Sequence, residues 1–282
     1  MDGWETCKPK TPVRVRNGME HRMVFVGGLH RSGTSILFKC LRDHPEISGF
    51  IGTGVPEDEG QHLQSVYPPA TVYGGGGRFG FHPEAHLTET SPLVNEENRR
   101  KLFSEWSTHW DMSRKYLLEK SPPNLIRTRF LQSMFPDSRF VIIVRHPLAY
   151  AYPRNDETGL WKVYSRVKHW LVCHELLRTD SAHLNNAIIL KYEEFVLDPA
   201  GHLERIFSFL GLPNHPSAQT VKKNINAKYV GRWKASGKGF PRNLVARMIS
   251  GSFEQRVRSF GYSIRNPETV EPWTSAVEGQ GS

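Results

Sequence analysis

The sequence predicts an α/β fold, a central parallel sheet flanked by helices, and two observations carry that expectation. Short apolar runs rich in β-branched and aromatic residues alternate with segments of helical periodicity, the pattern of a parallel sheet whose crossovers are helices. The first of these runs also enters a glycine-containing turn and then opens a helix at Arg31-Ser32-Gly33-Thr34-Ser35. That is the build of a phosphate cradle, in which consecutive backbone N–H groups and hydroxyls converge on an anion before the positive end of a helix.

Strands are expected at 24–27, 116–119, 140–145 and 187–191, each short and apolar. A helix over 35–42 places Ile36, Leu37, Cys40 and Leu41 on one face, and one over 125–135 does the same with Leu125, Ile126, Phe130, Leu131 and Met134. Further helices are expected over 161–178 and 200–210, the second introduced by Asp198-Pro199, a favourable helix start. The ends carry no such periodicity. Residues 1–20 read as a flexible N-terminal arm, 21–265 as one α/β domain and 266–282 as a flexible C-terminal tail, with no internal repeat.

A chain of 282 residues is long enough for a full core. Its formal net charge of +9 favours anionic ligands. The lysines and arginines are spread along the chain rather than gathered in an arm or stripe, which argues against nucleic acid as the partner. The three cysteines, Cys7, Cys40 and Cys173, lack metal or redox spacing and suit a reducing compartment. No signal peptide or membrane span is legible, so the expected location is cytoplasmic. Oligomeric state is not readable.

The cradle differs from a nucleoside-triphosphate loop in one respect. The Gly-Lys-[Ser/Thr] ending, whose lysine reaches the β/γ-phosphates and whose hydroxyl binds magnesium, is absent, and the basic residue, Arg31, precedes the Ser-Gly-Thr turn. The loop therefore suits a phosphate-like group without a triphosphate and its metal. A second anchor lies at Arg139-Phe140-Val141-Ile142-Ile143-Val144-Arg145-His146-Pro147, where a strand delivers a guanidinium suited to bidentate capture of phosphate. Ligands of such sheets bind at the carboxyl ends of the strands, and Arg31 and Arg145 both fall there.

These motifs, with Glu119-Lys120-Ser121-Pro122, His44-Pro45 and Lys191-Tyr192-Glu193-Glu194-Phe195 followed by Asp198-Pro199 and Phe209-Leu210-Gly211-Leu212-Pro213, resemble the sulfotransferase family over residues 23–240. That family uses 3′-phosphoadenosine 5′-phosphosulfate (PAPS), and the details look closest to its tyrosylprotein-sulfotransferase-like and bacterial branch. The resemblance implies a P-loop-type three-layer sandwich. It also implies that Arg31, Ser32, Gly33, Thr34 and Ser35 hold the 5′-phosphosulfate and that Arg145 holds the 3′-phosphate. A serine that the family usually carries eight residues further on is Pro153 here, which supplies neither hydroxyl nor N–H. Compensation is expected from the basic segment 229–234, with Arg232 and Lys234, and from Lys238. Tyr192 stands where relatives place a tyrosine near the adenosine, although packing at a strand end would equally explain it.

Sulfuryl transfer asks mainly for positioning and charge stabilisation. Arg31 and Lys120 are the candidates beside the leaving phosphate oxygen, and no metal is required. For the general base the cluster Glu57-Asp58-Glu59 is favoured by resemblance, Glu59 before Glu57. His62 is a further option, and a solvated acidic loop is the plain alternative. The acceptor is a hydroxyl of a glycan, a peptide tyrosine, a lipid or a small molecule. A P-loop kinase and a catalytically silent nucleotide-binding protein of the same fold are the competing readings; the first lacks its loop lysine.

Three other features have ordinary explanations. The glycine run 74–77 suits either a mobile lid or a plain surface loop. His82 and His86 have zinc-ligand spacing, but Pro83 lies between them and no third ligand is near. Trp106 and Trp110 read as a core stripe.

Overall fold

In the computed structural model, which describes residues 20–152, 159–223, 226–236 and 242–273, the strands are β1 (Arg22–Gly27), β2 (Ile47–Gly49), β3 (Tyr116–Lys120), β4 (Arg139–Val144) and β5 (Ala187–Lys191). They form one parallel five-stranded sheet in the order β2-β3-β1-β4-β5. The register pairs Val24 with Leu118 on one side of β1 and with Arg139 on the other. The helices that flank it are α1 (Thr34–Arg42), α2 (Glu96–Ser107), α3 (Thr128–Met134), α4 (Pro147–Ala151), α5 (Leu160–Ser181), α6 (Tyr192–Leu197), α7 (Pro199–Leu210), α8 (Ala227–Ser236) and α9 (Arg242–Arg258).

The central strands β1 and β4 are buried because they are apolar on both faces: Val24, Phe25 and Val26 are fully covered, as are Phe140 to Val144. Phe25 and Phe140 stack across the β1–β4 pair at 5.6 Å between ring centres. Trp106 and Trp110 belong to this core, and each finds a carbonyl for its indole N–H, Gly60 at 2.9 Å and Leu118 at 3.0 Å.

Two expected elements differ in detail. The helix expected over 125–135 is divided: a 3₁₀ turn spans Pro122–Ile126, and α3 begins only at Thr128. Arg127 separates them at φ −128°, its buried guanidinium donating to the carbonyls of Pro68 and Ala85, partners that a continuous helix would not offer it in this position. The fourth strand ends at Val144, so Arg145 lies just beyond it. Beyond Arg265 the chain continues to pack: Val270 bridges to Tyr262, and the Trp273 ring meets Phe260 edge-on at 4.9 Å. Among the described residues no helix is long and apolar enough to cross a membrane.

From β1 the chain moves to one side for β2 and β3 and to the other for β4 and β5. The connections leaving β1 and β4 therefore diverge, the topological switch point at whose carboxyl edge ligands of such sheets bind. The loop after β1, Lys120 at the end of β3, Arg145 after β4 and Tyr192 after β5 all reach this edge.

Candidate functional site

The loop from Gly28 to Gly33 owes its shape to two glycines and one strained residue. Gly28 (φ 151°) lies so close to β4 that a Cβ would sit 2.4 Å from the Ile143 carbonyl oxygen. Gly33 (φ 99°) faces the Tyr192 ring, which a Cβ would meet at 2.5 Å. Between them Arg31 adopts φ 70°, uncommon for a residue with a side chain. The turn is closed by Ser32 N–H donating to Leu29 O at 2.9 Å.

At its N-terminus α1 has no side-chain cap and no acidic residue in the first turn. No side chain therefore satisfies the first N–H groups of the helix, and its dipole favours negative charge there. Ser32 Oγ is buried without a hydrogen-bond partner, a second polar atom held ready for an acceptor. Ser35, one turn further, donates to Glu57 Oε2 at 3.2 Å.

Arg145 lies beside this loop, 5% exposed. Its Nη1 donates to Arg31 O at 2.6 Å, while Nε and Nη2 both donate to Asn226 Oδ1 at 2.9 and 2.7 Å. The guanidinium carbon lies 4.0 Å from the centre of the Tyr192 ring and 5.5 Å from that of Tyr229. Asn226 is oriented in turn by Glu193, whose Oε1 accepts from the Asn226 amide at 2.5 Å, while Oε2 accepts from Tyr262 OH at 2.9 Å. The exposed Arg31 side chain donates to Tyr229 OH at 3.0 Å. Burial works against ionisation of that hydroxyl, but the hydrogen bond and charge of Arg31, with Lys228 and Arg145, outweigh it and hold Tyr229 below the usual phenol value.

Lys120 and Glu59 form a buried pair. Lys120, 1% exposed, donates through Nζ to Glu59 Oε1 at 3.2 Å and to Glu57 O at 2.9 Å. Glu59 Oε2 accepts from the Gln61 amide at 2.6 Å, and His62 Nε2 lies 4.0 Å from the same oxygen. The Glu59 and Lys120 charges also act on His30, whose Nδ1 is buried without a partner and whose pKa is lowered chiefly by burial. The glycine run abuts this histidine, for a Cβ on Gly76 would meet the His30 ring at 3.1 Å.

One edge of the sheet thus joins an uncapped helix N-terminus, a buried guanidinium and a buried carboxylate–ammonium pair. The profile of the Sulfotransferase family matches residues 23–216, well over half of the chain. The chain belongs to the sulfotransferase family.

Protein-tyrosine sulfotransferase 2 of Gallus gallus is 23% identical over 209 residues, covering 71% of this chain and 54% of that protein. The chain therefore spans about half the length of this curated relative. Among solved structures, the sulfotransferase domain from the curacin biosynthetic pathway is 15% identical with a TM-score of 0.47, over 83% of this chain and 98% of that one. A sulfotransferase from Alicyclobacillus acidocaldarius is 16% identical with a TM-score of 0.47, over 85% and 97%.

In this sulfotransferase-family chain Arg31, Ser32, Gly33, Thr34, Ser35, Arg145, Tyr192, Lys120 and Glu59 share the carboxyl edge. Glu57 reaches it through Ser35 and through its carbonyl. The segment 229–234 arrives by a different residue from those expected. Tyr229 and Trp233 are the buried side of α8, whereas Arg232 is exposed and Lys234 is engaged with Glu268 at 2.9 Å. Pro153 and Lys238 lie outside the described residues. His86 pairs with Asp180 at 2.9 Å, and the His82 ring lies 5.8 Å from that of Tyr73.

Sequence reasoning missed Asn226, Glu193 and His30. Asn226 carries no local signal, because its place comes from contact with Arg145 far away in the chain. Glu193 is part of a recognised motif but is joined to Arg145 through Asn226. His30 stands directly before Arg31, and that adjacency was the available hint.

Proposed function

We propose that the chain moves the sulfuryl group of PAPS to a hydroxyl acceptor, with residues 21–265 as the catalytic unit and 3′,5′-ADP as the product released. The observation that carries this reading is the direct contact between Arg145 Nη1 and Arg31 O, which couples the phosphate cradle to a second, buried cation. A nucleotide bearing phosphates at both 3′ and 5′ positions needs two such anion sites at a fixed separation.

In this reading the α1 N-terminus, Ser32 Oγ, Thr34 and Ser35 hold the 5′-phosphosulfate, and Arg145 holds the 3′-phosphate with Asn226 orienting its fork. Tyr192 supports Arg145 from its ring face, and Tyr229 holds the Arg31 side chain. Glu59 accepts the acceptor hydroxyl's proton as the new O–S bond forms; the bond from sulfur to the leaving phosphate oxygen breaks, and that oxygen keeps the electron pair. Lys120 fixes the orientation of Glu59, and Arg31 supplies positive charge near the departing phosphate. The acceptor panel starts with tyrosyl peptides, because a relative is named for protein tyrosine, and continues with glycan, lipid and small alcohols.

The test is transfer of ³⁵S from labelled PAPS to this panel without divalent cations. Transfer to one class is expected, falling about 100-fold or more in Glu59→Gln, the ordinary loss on removing a general base. Binding of 3′,5′-ADP with no transfer to any class would instead identify a nucleotide-binding protein of the same fold.

A further inference from the structure

The segment that carries Glu59 rests on a second carboxyl group that the proposed reaction does not use. Glu119 is fully buried at the end of β3, and it lies so close to the chain that a Cβ on Gly60 would be 2.5 Å from its Cγ and Oε1. Its Oε1 accepts from Ser121 Oγ at 2.6 Å, and its Oε2 accepts from the Asn124 amide. A serine hydroxyl has one proton. With that proton given to Glu119, Ser121 Oγ faces Gln61 as an acceptor and takes its backbone N–H at 2.9 Å. The Gln61 side chain then spans two fixed points: its amide donates to Glu59 Oε2 at 2.6 Å, and its Oε1 accepts from Ala70 N–H at 2.8 Å. Trp106 holds the intervening Gly60 carbonyl at 2.9 Å.

We propose that Glu119 is a positioning residue for Glu59, acting through Ser121 and Gln61. The proposal rests on the reading of Glu59 as the base. Gly60 packs against the buried carboxyl group and Gln61 is tied to it through Ser121, and the chain of hydrogen bonds ends on the oxygen of Glu59 that Lys120 does not hold. The titratable and charged groups that face Glu119 are Lys120 and Glu59 beside it and Tyr67 and Arg127 from the segments packed over it. Burial raises Glu119 to about 7, against the opposing hydrogen bonds of Ser121 and Asn124. The anchor therefore changes charge near neutral pH, which gives the connection a measurable signature at Gln61.

The experiment follows the backbone and side-chain amide resonances of Gln61 in the ¹⁵N-labelled full chain between pH 5.5 and 8.5. A titration step centred near Glu119's value of about 7 is expected in the wild type, absent in Glu119→Gln, lost in Ser121→Ala and restored in Ser121→Thr. A wild-type Gln61 that does not respond to pH would overturn the proposal, as would a step of unchanged size in Ser121→Ala. Should Glu119→Gln not fold, the Ser121 pair decides the matter alone. Titration of the same samples with 3′,5′-ADP keeps the two readings apart. Normal binding without the Gln61 step removes the positioning role and leaves the sulfotransferase reading intact, whereas failure to bind in the wild type removes that reading and, with it, the catalytic meaning of the anchor.

Discussion

Arg145 and Tyr192 form a cation–π pair, with 4.0 Å between the guanidinium carbon and the ring centre. The same ring closes on Gly33 of the phosphate cradle. One aromatic side chain therefore touches both the loop after β1 and Arg145, although it stands just after β5 and far from either in sequence.

Removing that ring should loosen Arg145 without removing its charge. Tyr192→Phe keeps the face and is expected to bind 3′,5′-ADP as the wild type does. Tyr192→Ala should lose about 2 kcal/mol, roughly 30-fold in affinity, by calorimetric titration, since a desolvated cation–π contact is of that size.

Gly33 should tolerate no side chain. Its φ of 99° is strained for alanine, and the new Cβ would meet Tyr192 at 2.5 Å. Gly33→Ala should cost about 2 kcal/mol or more in urea unfolding and weaken nucleotide binding. Gly75→Ala provides the comparison: at φ 71° with nothing within 4 Å of the added Cβ, it should cost only about 1 kcal/mol.

Breaking the Lys120–Glu59 pair from one side leaves a buried charge. Lys120→Met should destabilise by about 3 kcal/mol, while adding Glu59→Gln should recover much of that loss, because no ion is then left uncompensated. Urea midpoints of the two single variants and the double variant at pH 7 give the coupling directly.

Glu119 also sets a pH dependence of stability. Burial raises its folded value to about 7 from 4.5, so between those values the folded chain holds a proton that the unfolded chain has lost. This contribution to stability is present below about pH 4.5 and is lost as pH rises through about 7, in total about 3 kcal/mol. Glu119→Gln should therefore gain on the wild type by that order when unfolding is compared at pH 4.5 and pH 8. His174 acts in the opposite direction. Burial lowers it from 6.5 to about 3, so its contribution is complete above pH 6.5 and is lost as pH falls towards 3; His174→Asn should flatten the acid limb.

The parallel sheet and the edge that carries the candidate site were legible because local chemistry announces them. Val24-Phe25-Val26 is apolar on both faces, Arg31 to Ser35 combines a turn with a helix start, and Lys120 ends its strand while Arg145 directly follows one. What escaped is what depends on tertiary contact or on brevity. β2 has three residues, too few for any alternation to show. The helix expected from Leu125 is interrupted at Arg127, since its apolar spacing is helical but its guanidinium satisfies carbonyls from distant loops. In α8 the segment was recognised for its cations, yet helical spacing puts Tyr229 and Trp233 on the buried face. Asn226 acquires its role only when the fold brings it to Arg145.

The central claim is that the cradle and Arg145 together recognise a nucleotide with phosphates on both sides of its ribose. Calorimetric titration of the wild type and Arg145→Ala with 3′,5′-ADP and with 5′-AMP, without magnesium, tests it most directly. The account predicts tight binding of 3′,5′-ADP, much weaker binding of 5′-AMP, and loss of that preference in Arg145→Ala. Equal affinity for the two nucleotides, or a preference that survives removal of Arg145, would contradict it.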